Sequence, residues 1–173
     1  LICLLVAFVI VGCARWEASP QPYFGYSSKF KPTYALDKWM DEHKNTTVLW
    51  AGAAIRDITP KRRAYIAGFM PNRRSEGVLD PIYCRAIFLS DGKTPVLYIN
   101  FDLVGIMGTD TRRIRNLLTK KYFHSILVGV THNHEGPDSI GMWGPGLLLP
   151  LDCGVDQKWM DWVRVEAAKA AEE

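Results

Sequence analysis

Ser125-Ile126-Leu127-Val128-Gly129-Val130, followed at once by Thr131-His132-Asn133-His134-Glu135-Gly136-Pro137-Asp138, is the stretch on which the reading of this chain turns. Its first half is a short apolar and β-branched run, the pattern of a buried strand, and it gives way to turn formers at Gly136-Pro137. Just upstream, residues 109 to 122 place Ile114, Leu117 and Leu118 on one side and Arg112, Arg113, Arg115, Lys120 and Lys121 mostly on the other. That spacing predicts an amphipathic helix, which Thr109 or Asp110 can cap. Further upstream, two β-prone runs, Ile82 to Leu89 and Pro95 to Phe101, flank Ser90-Asp91-Gly92-Lys93-Thr94. An Asp-Gly between such runs predicts a hairpin of antiparallel strands. Hairpin, helix and strand in that order predict a right-handed crossover, hence an α/β fold with a mixed β-sheet and flanking helices.

The outer elements extend the pattern. Leu36, Trp39 and Met40 fall at helical spacing within residues 33 to 44. Residues 48 to 58 predict a first strand, with Ala51, Gly52, Ala53 and Ala54 small enough for another element to pack closely. Residues 61 to 77 are an arginine-rich loop of turn formers following that strand, where sites are often lined. Residues 131 to 154 form a long Gly- and Pro-rich loop, of a length more often functional than filler. Val155 to Glu173 predict a last helix with Trp159, Trp162 and Val163 on its apolar side.

At 173 residues and 48% hydrophobic, the chain has material for one sizeable core and no room for two ordinary domains. No Met opens it, and Glu173 falls inside an Ala- and Glu-rich helical pattern, so it reads as the N-terminal portion of a larger catalytic domain. Residues 1–12, LICLLVAFVIVG, are apolar and uncharged, short for a membrane span and suited to the hydrophobic core of a secretory signal. Ile10-Val11-Gly12-Cys13 resembles a bacterial lipobox, which would make Cys13 a lipidated anchor; a plain cleaved signal or short membrane anchor is the alternative. The expectation is an exported protein, held at a membrane in the periplasm or on the cell surface, or else secreted. Residues 13–32, rich in Pro, Ser and aromatics, read as a tether to a domain over 33–173. Asn45-Thr46-Thr47 is a glycosylation sequon that a bacterial lipoprotein would not normally use.

Cys84 and Cys153, the two thiols left in the globular part, have no metal-type spacing and can pair or stay separate. The net charge of +3 is mild, and the clusters at Lys61-Arg62-Arg63, Arg73-Arg74 and Arg112-Arg113 form no sustained stripe. No nucleic-acid partner is expected.

Chemistry is expected at the carboxyl end of the SILVGV strand, the edge where open α/β sheets present functional residues. On an extended segment His132 and His134 point to the same side, so one metal can take both, or take one while the other meets substrate. Neutral imidazole suits zinc, whose chemistry is that of hydrolysis. Two histidines in a polar loop can equally make hydrogen bonds and nothing more. Asp102, at the end of the neighbouring strand, can orient an imidazole from behind, bind a cation, or cap the helix region after it. Glu135 is next to His134 but on the opposite face of an extended chain, a poor position for a general base.

Three segments in order, AGAAIRDITP (51–60), LDPIYCRAIFLSDGKTPVLYINFDLVG (79–105) and SILVGVTHNHEGPDSIG (125–141), resemble the opening of the neutral, non-lysosomal ceramidases. The family reads THTHSGP where this chain has THNHEGP, so the histidine frame is kept while Asn133 and Glu135 replace Thr and Ser. The resemblance implies a zinc-dependent amidase that cleaves the N-acyl bond of ceramide, or a related lipid, to sphingosine and a fatty acid. It implies His132 as a zinc ligand and His134 as the catalytic histidine beside the metal. It also implies that the remaining ligands, another His with a Glu and a Tyr, and the catalytic Ser lie beyond Glu173. The chain alone is then expected to bind zinc weakly or not at all and to be inactive. Two alternatives stay open: a zinc hydrolase of the same fold acting on another amide or ester, and a surface lipoprotein that binds a ligand without chemistry.

Overall fold

A computed structural model describes residues 30–44, 47–122, 125–145 and 153–173. The apolar leader, Cys13, all but the end of the tether and the Asn45-Thr46 part of the sequon lie outside the described residues. The elements run α1 (Ala35–His43), β1 (Trp50–Asp57), β2 (Tyr83–Ser90), β3 (Val96–Phe101), α2 (Gly108–Leu118), β4 (Ile126–Val130) and α3 (Gln157–Glu172).

The strands form a four-stranded mixed sheet in the order β1-β2-β3-β4. β1 and β2 pair antiparallel, as do β2 and β3, while β3 and β4 are parallel and joined through α2. The hairpin expected at Asp91-Gly92 forms. Its turn is held by Asp91 Oδ1, which accepts the backbone N–H groups of Lys93 and Thr94 at 2.9 and 2.7 Å. The bonds from Thr94 and Lys93 keep the Asp91 carboxyl below its ordinary range.

Period-two alternation separates two faces. Cys84 and Ala86 of β2, Leu97, Ile99 and Phe101 of β3, and Ile126 of β4 are buried in one cluster with Ile114 and Leu118 of α2 and Met160 and Val163 of α3. Burying an aliphatic or aromatic side chain of that size stabilises the fold by about 1.5–3 kcal/mol. On the other face Ile87 pairs with Tyr98 and Tyr98 with Leu127, and all three side chains are exposed. The sheet is therefore covered on one side and presents an apolar strip on the other.

Three local expectations need correction. The small residues of β1 are not tightly packed: Ala51, Gly52 and Ala53 are exposed, and a Cβ at Gly52 would meet nothing within 4 Å. β1 is the sheet edge, and beside it runs an apolar groove lined in part by Trp39, Trp50, Phe88 and Ala170. Neither Thr109 nor Asp110 caps α2, whose N-cap position is Met107 with no side-chain cap bond. The Asp110 carboxylate turns instead to the buried Arg164 guanidinium at 2.8 Å, which also pairs with Asp161, so an ionic cluster ties α2 to α3. Burial raises the Asp161 carboxyl above its ordinary range, against the pull of Arg164. Finally, α3 begins at Gln157 because Asp156 accepts the N–H groups of Lys158 and Trp159.

Candidate functional site

The two parallel strands β3 and β4 stay in register past their ends. Thr131 N–H donates to Phe101 O at 2.9 Å, and Asn133 N–H donates to Leu103 O at 3.1 Å. His132 lies between those two anchors in the left-handed region at φ 60°. For a non-glycine residue that conformation costs about 1–3 kcal/mol and persists only where its surroundings impose it. Here the ring is pinned as well, with His132 Nδ1 2.7 Å from the carbonyl of Val104. A carbonyl only accepts, so Nδ1 carries the proton and Nε2 of the neutral ring keeps its lone pair. The Nε2 of His134 is 3.0 Å from that atom, with the two rings near-perpendicular at 74°. The imidazoles thus share a side as the sequence suggests, through a left-handed turn at His132 and not through extended alternation.

The wall behind His134 is built by the arginine-rich loop. Ile66 N–H donates to Arg73 O and Ser75 N–H to Ala64 O, so residues 64–75 fold back as a narrow ribbon. The ribbon is stitched to the histidine loop by Ala67 N–H to Gly136 O at 3.0 Å and Asp138 N–H to Tyr65 O at 2.7 Å. Gly68, at φ +94°, touches the His134 ring so closely that a Cβ would fall 2.3 Å from its Nδ1. Asp138 organises the other flank: it is buried, and its carboxylate accepts the N–H groups of Ile140, Gly141 and Trp143 at 2.7–3.1 Å. The Trp143 ring that this loop carries lies 6.1 Å from that of His134.

No protein-family profile matches the sequence, and no curated protein does. Solved structures do. The structure of the neutral ceramidase from Pseudomonas aeruginosa superposes with a TM-score of 0.58 at 18% identity, over 73% of this chain and 21% of that one. A ceramidase complexed with C2 gives a TM-score of 0.56 at 20% identity, over 72% and 20%. The fold is similar to one part of the neutral ceramidase fold. At this identity the likeness is one of fold, and the chain spans about a fifth of the length of the ceramidase chains it matches. The mixed α/β sheet expected from the sequence forms, and it matches part of a larger ceramidase structure.

Within this ceramidase-like fold the other singled-out residues take definite places. Asp102 does not reach an imidazole in any bond it makes: its Oδ2 accepts from Arg85 Nη1 at 2.7 Å and from Tyr83 N–H at 3.0 Å. The position behind His132 is taken by the Val104 carbonyl, because the backbone beside His132 belongs to residues 103–105 and Asp102 faces back across the sheet. Glu135 is exposed, its carboxylate 4.0 Å from Arg73, and its N–H is held by Asn133 Oδ1. Sequence alone assigns no role to Gly68 or Asp138. The signals were a glycine in a loop following a strand and an aspartate inside a Gly-rich turn region, which favours Asx bonding.

The donor set fits zinc in part. Two nitrogens each ~2.0–2.1 Å from a tetrahedral zinc are ~3.3 Å apart, close to the separation of the two Nε2 atoms. The Nδ1 bond to a backbone carbonyl is the outer contact that metal-binding imidazoles usually make. Among the described residues no group of three or more His, Cys, Asp or Glu converges. The described residues therefore offer at most two imidazole nitrogens where a zinc site takes three or four ligands.

Proposed function

We propose that this chain carries the first two histidines of a zinc centre, in a protein that hydrolyses the N-acyl amide bond of ceramide or a related lipid. The observation that carries the reading is the convergence of His132 Nε2 and His134 Nε2, with the first ring held through Nδ1 in the tautomer that turns its Nε2 lone pair toward His134. His132 would bind the metal. His134, backed by Gly68 and able to reorient only within that wall, would hold or deliver a proton at Nε2 to the substrate. Zinc at such a position supplies polarisation of the amide carbonyl and acidification of a water toward a pKa of ~7. The substrate class is supported by the names of the two matched proteins, both ceramidases. Zinc as cofactor, an exported location and a lipid anchor at Cys13 belong to the same reading.

A second reading, the same zinc chemistry on a different amide or ester, is favoured by Glu135. An exposed carboxylate next to His134 and the arginine that faces it put charge at the mouth of the site. A substrate panel on the protein expressed from its complete gene separates the two. Fatty-acid release from N-acylsphingosine, lost in His134→Ala, supports the ceramidase reading; turnover only of polar amides or esters favours the second. Turnover of neither class would refute both.

A further inference from the structure

The arginine-rich ribbon has a property that the histidine site does not use. Over residues 61–76 it carries Lys61, Arg62, Arg63, Arg73 and Arg74 against a single acid, Glu76, whereas the whole chain is only +3. All five cations are exposed, so this projection presents a net positive surface. The tip of that projection is apolar: Phe69 is 53% exposed and Met70 74%. Asn72 N–H binds Trp143 O at 2.8 Å, which brings alongside the neighbouring Met142, itself 65% exposed. Three of the cations are held by the ribbon itself, Arg63 Nε donating to Ser75 O at 2.7 Å. The Arg73 guanidinium lies 5.2 Å from the Phe69 ring centroid, and Arg74 lies 4.3 Å from that of Tyr65 while donating to its hydroxyl.

An exposed apolar tip on a basic ribbon, with Arg73 beside Phe69, is what an anionic bilayer surface fits: the tip enters the boundary between headgroups and acyl chains while the guanidiniums meet the phosphates. We infer that residues 61–76, together with Met142, dock on the surface of an anionic lipid bilayer. A nucleic acid is the less suitable partner, because the basic ribbon ends in an exposed apolar tip, Phe69 and Met70, that phosphates and sugars would not cover. Gly68, one residue before the tip, is the wall of His134, so docking through Phe69 and Met70 sets the histidine pair beside the lipid. The inference stands on exposure and charge, and holds whatever the histidines bind.

Hydrogen exchange read by mass spectrometry tests it locally, independently of any anchor at the amino end. The protein is mixed with vesicles of phosphatidylcholine alone, or of phosphatidylcholine with phosphatidylglycerol, both free of ceramide. Exchange in peptides covering 61–76 is expected to slow about tenfold on the anionic vesicles and to return toward the free rate at high salt. Phe69→Ser with Met70→Ser should abolish the slowing, as should Arg62→Gln with Arg73→Gln, and neither pair lies in the core. Unchanged exchange on anionic vesicles overturns the inference. So does equal slowing on both vesicle types, or slowing by duplex DNA that survives the double serine variant. Because the vesicles hold no ceramide and the readout is not activity, a failed zinc or ceramidase assay leaves this result untouched.

Discussion

The Nε2 atoms of His132 and His134 face each other across 3.0 Å, and the first ring is locked from behind by the Val104 carbonyl. That pairing is assembled by backbone outside the two histidines: strand register past β3 and β4, a glycine against one ring and a buried aspartate shaping the loop. Each support gives an expectation.

Gly68→Ala introduces a Cβ where the His134 ring stands and forces a side chain into a positive φ. We expect the loop to shift at a cost of about 1–3 kcal/mol and His134 to leave His132, while the sheet is kept. The histidine ring NMR signals report it. Unchanged His134 shifts in the alanine variant would show that the glycine contact does not set the ring.

Asp138→Ala removes the buried acceptor of three backbone N–H groups in a partly buried turn. A loss of about 3 kcal/mol in urea unfolding is expected, since unsatisfied buried donors cost ~1–3 kcal/mol each and some regain water. A loss below about 0.5 kcal/mol would mean the turn holds without the carboxylate.

Most of the fold was legible before the structure. Alternating apolar residues in 82–89 and 95–101, the Asp91-Gly92 turn and the helical spacing of Ile114 and Leu118 are local signals, and local signals produced those elements. What could not be read depended on contacts distant in sequence. Asp110 reads as a cap until Arg164, far along the chain, claims its carboxylate. Asp102 reads as an imidazole partner until Arg85, across the hairpin, occupies it. The histidine pair itself was legible as a motif, but its geometry rests on a left-handed His132 that no β-period anticipates. Gly68 joined the site only because the ribbon folds back onto residues 136–138.

Burial pushes the Cys84 thiol up from 9.0 to about 12. The folded state therefore keeps this thiol neutral after the unfolded chain ionises it. Its contribution to stability is complete below pH 9.0 and is lost as pH rises through about 12, at about 1.4 kcal/mol per pH unit. Cys84→Ala should flatten that part of the stability curve, and Cys84 should resist iodoacetamide at mildly alkaline pH in the folded protein. Rapid alkylation of Cys84 without unfolding would contradict this.

Everything proposed for the site requires that His132 Nε2 be a zinc donor. Metal content measured on the protein expressed from its complete gene, beside its His132→Ala variant at matched circular dichroism, addresses it most directly. Zinc should be retained through dialysis in the parent and lost in the variant, together with N-acylsphingosine cleavage. A well-folded His132→Ala protein that keeps its zinc and its activity would contradict it.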